Sequence, residues 1–298
     1  MDFIGEIAGL ATSFFFALTS IIFASAGRIV GSQVTNRIRL IFALAYLVIL
    51  NIILFGEPLP ISAESSRWIW LGLSGVIGLS LGDSFYFQSL ISVGPRLGSL
   101  LLSLAPIFGS VIAWVFFGET LTPLQITGIV LALSGIGWVV VSHDEPKNTP
   151  HGHTKRGVFF GVLAGLGQAV GLVLSKQGMF GEFSPFQANA IRIFAAGIFT
   201  WSWTFIEGKA GATFTTLGEK PQALGLLALG ALVGPLLGVS ASLFAIQHTE
   251  IGVASTLMAL PPVIILPISY FVLKEKIGWQ AVAGTILAIG GVAILFLA

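Results

Sequence analysis

Ser99-Leu-Leu-Leu-Ser-Leu-Ala-Pro106 recurs about 156 residues later as Ser255-Thr-Leu-Met-Ala-Leu-Pro-Pro262. The same offset carries Gly82 onto Gly238, Ser84 onto Ser240, Glu119 onto Glu275, Gly128 onto Gly284 and Gly135 onto Gly291. Upstream, with a slightly shorter offset, Asn36-x-Ile38-Arg39 falls on Asn189-x-Ile191-Arg192. The chain therefore reads as one structural unit written twice.

Each unit belongs in a membrane. Of 298 residues 55% are hydrophobic and only 9% charged, with a mean hydropathy of +0.96, which no water-soluble surface of this size would tolerate. Ten apolar stretches can be read at roughly 4–26, 34–55, 68–91, 97–117, 123–142, 157–179, 186–206, 222–246, 252–273 and 280–297. Each approaches the ~20 residues that a spanning helix needs. Gly56-Glu57-Pro58, Gly94-Pro95, Gly118-Glu119 and Ser184-Pro185 supply the stops between them. The sequence thus predicts an all-α integral membrane protein of ten transmembrane helices. Residues 1–142 form the first five-helix repeat, 143–156 a solvated linker and 157–298 the second repeat. An odd number of spans per copy forces the copies into opposite orientations, the architecture associated with alternating-access carriers. The first apolar stretch is read as a retained helix, since Asp2 and Glu6 stand where a secretory signal would carry Lys or Arg.

Several function classes drop out. Net charge is +1 and no basic run exceeds two residues, which speaks against nucleic acid and against a polybasic lipid-binding tail. Cysteine is absent, so disulfides and thiolate chemistry are excluded. There is no phosphate loop, no His-Glu-x-x-His and no Gly-x-Ser-x-Gly elbow, so neither an enzyme nor ATP-driven transport is expected. His143, His151 and His153 lie in the linker without carboxylate or cysteine spacing, and neither a metal site nor a cofactor is expected.

Lys and Arg set orientation. One face collects Arg28, Arg37, Arg39, Arg96, Lys147, Lys155, Arg156, Lys209, Lys220, Lys274 and Lys276, the other only Arg67, Lys176 and Arg192. With ten helices both termini fall outside the cytoplasm. Small residues four apart mark helix contacts: Ser74, Gly78 and Gly82 in the third helix, Gly230, Gly234 and Gly238 in the eighth, and Gly157, Gly161 and Gly165 in the sixth.

Ser99 to Pro106, followed by Trp114-Val-Phe-Phe-Gly-Glu119-Thr-Leu, Gln125-Ile-Thr-Gly128 and Gly135, resembles the EamA-type repeat of the drug/metabolite transporter superfamily. Ser255 to Pro262, Leu273-Lys-Glu275-Lys-Ile, Gly284 and Gly291 resemble it again. The resemblance implies ten helices, an inverted repeat, a central cavity lined mainly by the first four helices of each half, and export of small metabolites such as amino acids. It carries no catalytic signature, and the matched Pro, Glu and Gly positions look structural.

A charge at the bilayer centre costs at least ~2.5–3.5 kcal/mol, so charged residues deep in helices need a reason. Asp83 lies deep in the third helix, and Arg39 on the second reaches a compatible depth. Their pairing is expected either to bind substrate or to lock helices. Tyr86, one turn on with Phe87, shares the face of Asp83. On the opposite side Arg192, with Asn189 one turn before it, could hold a carboxylate or snorkel to the interface, as Lys176 could. Asn36 mirrors Asn189. Gln168 is a candidate for a cavity hydrogen bond; Trp114 and Tyr270, at matching positions, are candidates for stacking or gating. Pro106 and Pro262 interrupt matched helices and are candidate hinges. The reading is an exporter of small amphipathic metabolites in a prokaryotic inner membrane, with a small-molecule substrate, lipid contact and no need for an oligomer. A carboxylate held as the anion by arginine is a poor proton carrier, so facilitated diffusion is the simpler mechanism. A flippase for lipid-linked molecules and a non-transporting scaffold are the alternatives.

Overall fold

Among the described residues the chain is helical throughout, with no strand. The computed structural model describes residues 3–117, 121–142, 153–181, 183–249, 251–271 and 278–297. Gly118 to Thr120, Lys274 to Lys276, Lys147, His143 and His151 lie outside the described residues.

Among the described residues six stretches are long and apolar enough to cross a membrane: Ile4–Val30, Ser32–Phe55, Ser65–Ile112, Pro123–Val141, Thr154–Gly178 and Gln222–His248. The third of these is two helices. At Gly94 the backbone turns to φ 82°, ψ 167°, which a residue with a side chain adopts only under strain, and Pro95 forbids continuation. Among the described residues ten long helices follow in chain order: Ile4–Val30, Ser32–Phe55, 65–93, 95–117, Pro123–Val141, His153–Gly178, Pro185–Ile206, Gln222–His248, 251–271 and Trp279–Leu297. They are called the first to tenth helices below. Gly56, left-handed at φ 75°, ends the second helix. Thr122 and Gln125 form a reciprocal capping box with Pro123 in the first turn, starting the fifth. A short helix, Ala210–Glu219, which the apolar pattern does not reveal, follows the seventh.

Irregularities recur at the repeat offset. The third helix passes through a π-helical segment at Gly75–Gly82, the eighth through one at Leu232–Gly238. The fourth helix breaks at Ser103 and the ninth at Ala259 and Leu260. Pro106 and Pro262 therefore sit in the first turn of the segments Leu104–Phe117 and Pro261–Phe271 rather than in mid-helix. In that turn a missing N–H costs nothing.

Glycines set the packing. A β-carbon on Gly78 would stand 3.5 Å from the Cα of Gly171, and Ser74 Oγ donates to the Gly171 carbonyl at 2.6 Å, so the third helix lies directly on the sixth. The eighth helix treats the first in the same way, its Gly230, Gly234 and Gly238 facing Phe23, Thr19 and Phe16. Gly157 and Gly161 in turn admit Val93 and Leu101. The fifth and tenth helices run antiparallel, Gly128 against Gly291 and Gly135 against Gly284. Such close approach matters because apolar side chains gain nothing by leaving lipid. Large apolar residues such as Ile53, Ile206 and Phe271 cover the outside.

Candidate functional site

The second, third, sixth and seventh helices enclose a polar cluster. Its centre is Asp83, where the π-helical segment of the third helix gives way to α-helix. Arg39 Nη2 donates to Asp83 Oδ2 at 2.5 Å, and Gln168 Nε2 reaches across from the sixth helix to Asp83 Oδ1 at 2.6 Å. Arg39 also donates from Nη2 to the Leu79 carbonyl (2.6 Å) and from Nε to Asn36 Oδ1 (2.9 Å). The Phe87 ring lies under its guanidinium at 5.0 Å. Asn36 Nδ2 donates to the Ser80 carbonyl (2.9 Å) and to Ser84 Oγ (2.7 Å). Gln168 additionally donates to the Gly78 carbonyl at 3.2 Å. A π-helical turn bonds i→i+5 in place of i→i+4, and the Asp83 amide here reaches the Gly78 and Ser80 carbonyls. Here Arg39, Asn36 and Gln168 supply donors from three directions.

In the seventh helix Asn189 plays the part of Asn36, donating to the Pro235 carbonyl (2.7 Å) and Ser240 Oγ (3.1 Å) of the eighth. Arg192 is 5% exposed, so it does not snorkel, and its Nε has no partner among the described residues. One of its terminal nitrogens lies near Gly78, beside the Gln168 and Asp83 contacts. Sequence depth alone placed Arg39 and Arg192 on opposite faces; both are buried in the protein interior.

The remaining candidates stand apart. Tyr86 turns its hydroxyl to Ser20 Oγ (2.6 Å) and Ser99 Oγ (3.2 Å), tying the third helix to the first and fourth. Both serines keep a second partner, the carbonyls of Phe16 and Pro95. Tyr86→Phe is therefore expected to lower stability by only about 0.5–1.5 kcal/mol, read from thermal unfolding of the purified protein. Trp114 and Tyr270 are more than half exposed and do not join the cluster. Lys176 closes the sixth helix in its last turn.

A cavity of about 290 Å³ lies against the cluster, sharing Ser80 and Ser84 with it. Its mouth is formed by groups the sequence did not single out. Arg37 approaches Glu207 at 3.7 Å, Lys209 pairs with the same carboxylate at 3.0 Å, and Trp203 Nε1 donates to Glu207 at 2.9 Å. The hydrogen bond from Lys209, helped by that from Trp203 and by the two positive charges, holds the Glu207 carboxyl below the usual glutamate range. Arg37 is further fixed by Thr213 of the short helix at 3.0 Å. Among the described residues no group of three or more His, Cys, Asp and Glu side chains could hold a metal.

Comparison with known proteins adds a family. The profile of the EamA-like transporter family matches twice, at residues 3–141 and 155–297. A probable terminal-alkyne amino-acid exporter of Streptantibioticus cattleyicolor is 23% identical over 247 residues, covering 80% of this chain and 76% of that protein. An uncharacterized transporter of Archaeoglobus fulgidus is 21% identical over 223 residues, 74% of this chain and 75% of that one. A solved crystal structure superposes with a TM-score of 0.68 at 15% identity, covering 98% of this chain and 96% of its own, which establishes a shared fold.

Proposed function

The chain belongs to the EamA-like transporter family, a multi-pass membrane protein, and from that premise we propose a secondary carrier that exports small amphipathic metabolites, amino acids or related compounds. It works by alternating access across the inner membrane of a prokaryote. Its two five-helix halves, 1–142 and 157–298 with the linker 143–156 between them, sit inverted in the bilayer. The antiparallel crossing of the fifth and tenth helices at offset-related glycines supports this arrangement.

One observation carries the reading: a buried polar cluster straddles the two halves, with Asn36, Arg39 and Asp83 from the first and Gln168 and Arg192 from the second. A rocking motion of the halves would open this seam, and it already carries the groups that could receive a polar substrate. Asn189 belongs to the same set through its matching role. Tyr86, Trp114 and Tyr270 are assigned supporting positions around the path, and the breaks before Pro106 and Pro262 the places where the fourth and ninth helices bend. The substrate class follows the distant amino-acid exporter. One chain suffices, the termini lie outside the cytoplasm, and facilitated diffusion is the simpler mechanism.

Purified protein in liposomes is expected to show saturable flux of labelled amino acids that unlabelled amino acids suppress. Absence of saturable flux across an amino-acid panel overturns the carrier reading. A second reading, movement of lipid-linked molecules between leaflets, draws on the exposed Leu81, Phe199 and Trp203 at the border of the cavity. Leaflet exchange of a fluorescent lipid-linked probe in the same liposomes separates the two.

A further inference from the structure

The two copies treat their matching arginines differently. In the first, Arg39 donates to Asn36, the Leu79 carbonyl and Asp83. In the second, Asn189 and Arg192 keep the same spacing, yet Asn189 Oδ1 and Arg192 Nε are both buried and both unpartnered among the described residues. The bond that Arg39 makes to Asn36 is therefore not made by Arg192. Its guanidinium points instead toward Gly78, with a terminal nitrogen 3.7 Å from where a β-carbon would stand.

The sequence supplies the cause. The offset that takes Ser84 to Ser240 takes Asp83 to Val239, which packs in an apolar cluster with Leu71, Ile191 and Leu243. The second copy has an arginine without its acid. The carboxylate of this cluster, Asp83, already accepts from Arg39 and Gln168, and Arg192 comes near Gly78 beside it. A guanidinium more than nine-tenths buried is costly to hold without a counter-charge. Its planar fork fits a carboxylate with two parallel hydrogen bonds. Beside it the third and sixth helices meet backbone to backbone at Gly78 and Gly171, so neither glycine offers Arg192 a side-chain partner.

We infer that Arg192 binds a carboxylate of the transported molecule, which takes the place that Asp83 occupies in the first copy, so that the carrier accepts carboxylate-bearing substrates and refuses amines that lack one. This rests on the carrier reading above. Asp83, held from both sides, is not free to receive the amine instead.

The test uses full-length protein in liposomes carrying labelled leucine, or whichever panel amino acid gives the largest saturable flux. Unlabelled amino acid and its deaminated acid are expected to compete, and the amino-acid amide to compete at least about tenfold less well. Arg192→Gln is expected to raise KM about tenfold or more without lowering the thermal unfolding temperature, since the buried guanidinium it removes has an Nε with no partner among the described residues. Val239→Asp, giving Arg192 an internal partner, is expected to abolish saturable flux while the protein unfolds no earlier than the native chain. If Val239→Asp does not fold, amide competition and Arg192→Gln decide. Equal competition by the amide, an unchanged KM in Arg192→Gln, or normal flux in a folded Val239→Asp protein overturns the assignment. Saturable flux without carboxylate preference removes this inference alone, whereas no saturable flux at all removes the carrier reading with it.

Discussion

Asp83→Asn is expected to destabilise the protein by about 3–5 kcal/mol. The reason is what remains. Arg39, 2% exposed, would keep its bonds to Asn36 and the Leu79 carbonyl but lose the carboxylate that balances its charge. An unpaired buried cation costs far more than the pair contributes. Removing both charges, as Asp83→Asn with Arg39→Gln, should recover most of the loss, and the double-mutant cycle should show a coupling of about 3 kcal/mol or more. Thermal unfolding in detergent measures all three variants. A single Asp83→Asn protein as stable as the native chain would mean that Arg39 is compensated elsewhere. The same variant addresses energy coupling: gradient-driven uptake that survives Asp83→Asn excludes Asp83 as the proton carrier, and uptake abolished in a folded variant argues against facilitated diffusion.

The second large effect lies at the crossing of the fifth and tenth helices. A β-carbon on Gly135 would stand 2.4 Å from the Ala288 amide nitrogen and 2.6 Å from the Gly284 carbonyl. On Gly291 it would stand 2.3 Å from the Ala132 nitrogen. Both obstacles are backbone, which cannot swing aside. Alanine at either position is expected to cost about 1–3 kcal/mol, and leucine to part the helices and prevent folding. Gly137, on the same helix with nothing within 4 Å, is the control. Gly137→Ala should be neutral or slightly stabilising, by about 1 kcal/mol at most. Equal losses at Gly135 and Gly137 would remove the packing argument.

The contrast between these glycines shows what the sequence could and could not reveal. Helices of about 20 apolar residues announce themselves through length, and the ten boundaries read from the pattern lie within a few residues of the observed ones. The Asp83 and Arg39 pair was legible because a charge that deep requires a partner. The role of Gln168 was not, since a glutamine carries no sign of which carbonyl or carboxylate it will reach. Equally hidden were the π-helical segments, because a wider turn changes neither composition nor hydropathy. Trp114 and Tyr270 show the converse: matching positions in two copies signal shared geometry, and both stand exposed, outside the polar cluster. The Arg37, Glu207 and Lys209 grouping joins residues far apart in sequence, and only the fold brings the second helix to the end of the seventh.

The glycine faces of the third and eighth helices have one more consequence. Each receives the opening helix of the opposite half: the third holds the sixth, and the eighth holds the first. Neither half can complete its own interior. Severed between 142 and 153 and produced separately, each fragment would be left with a glycine-lined groove that nothing of its own can fill. The two pieces would have to be made in the same membrane and find one another before either became a stable protein.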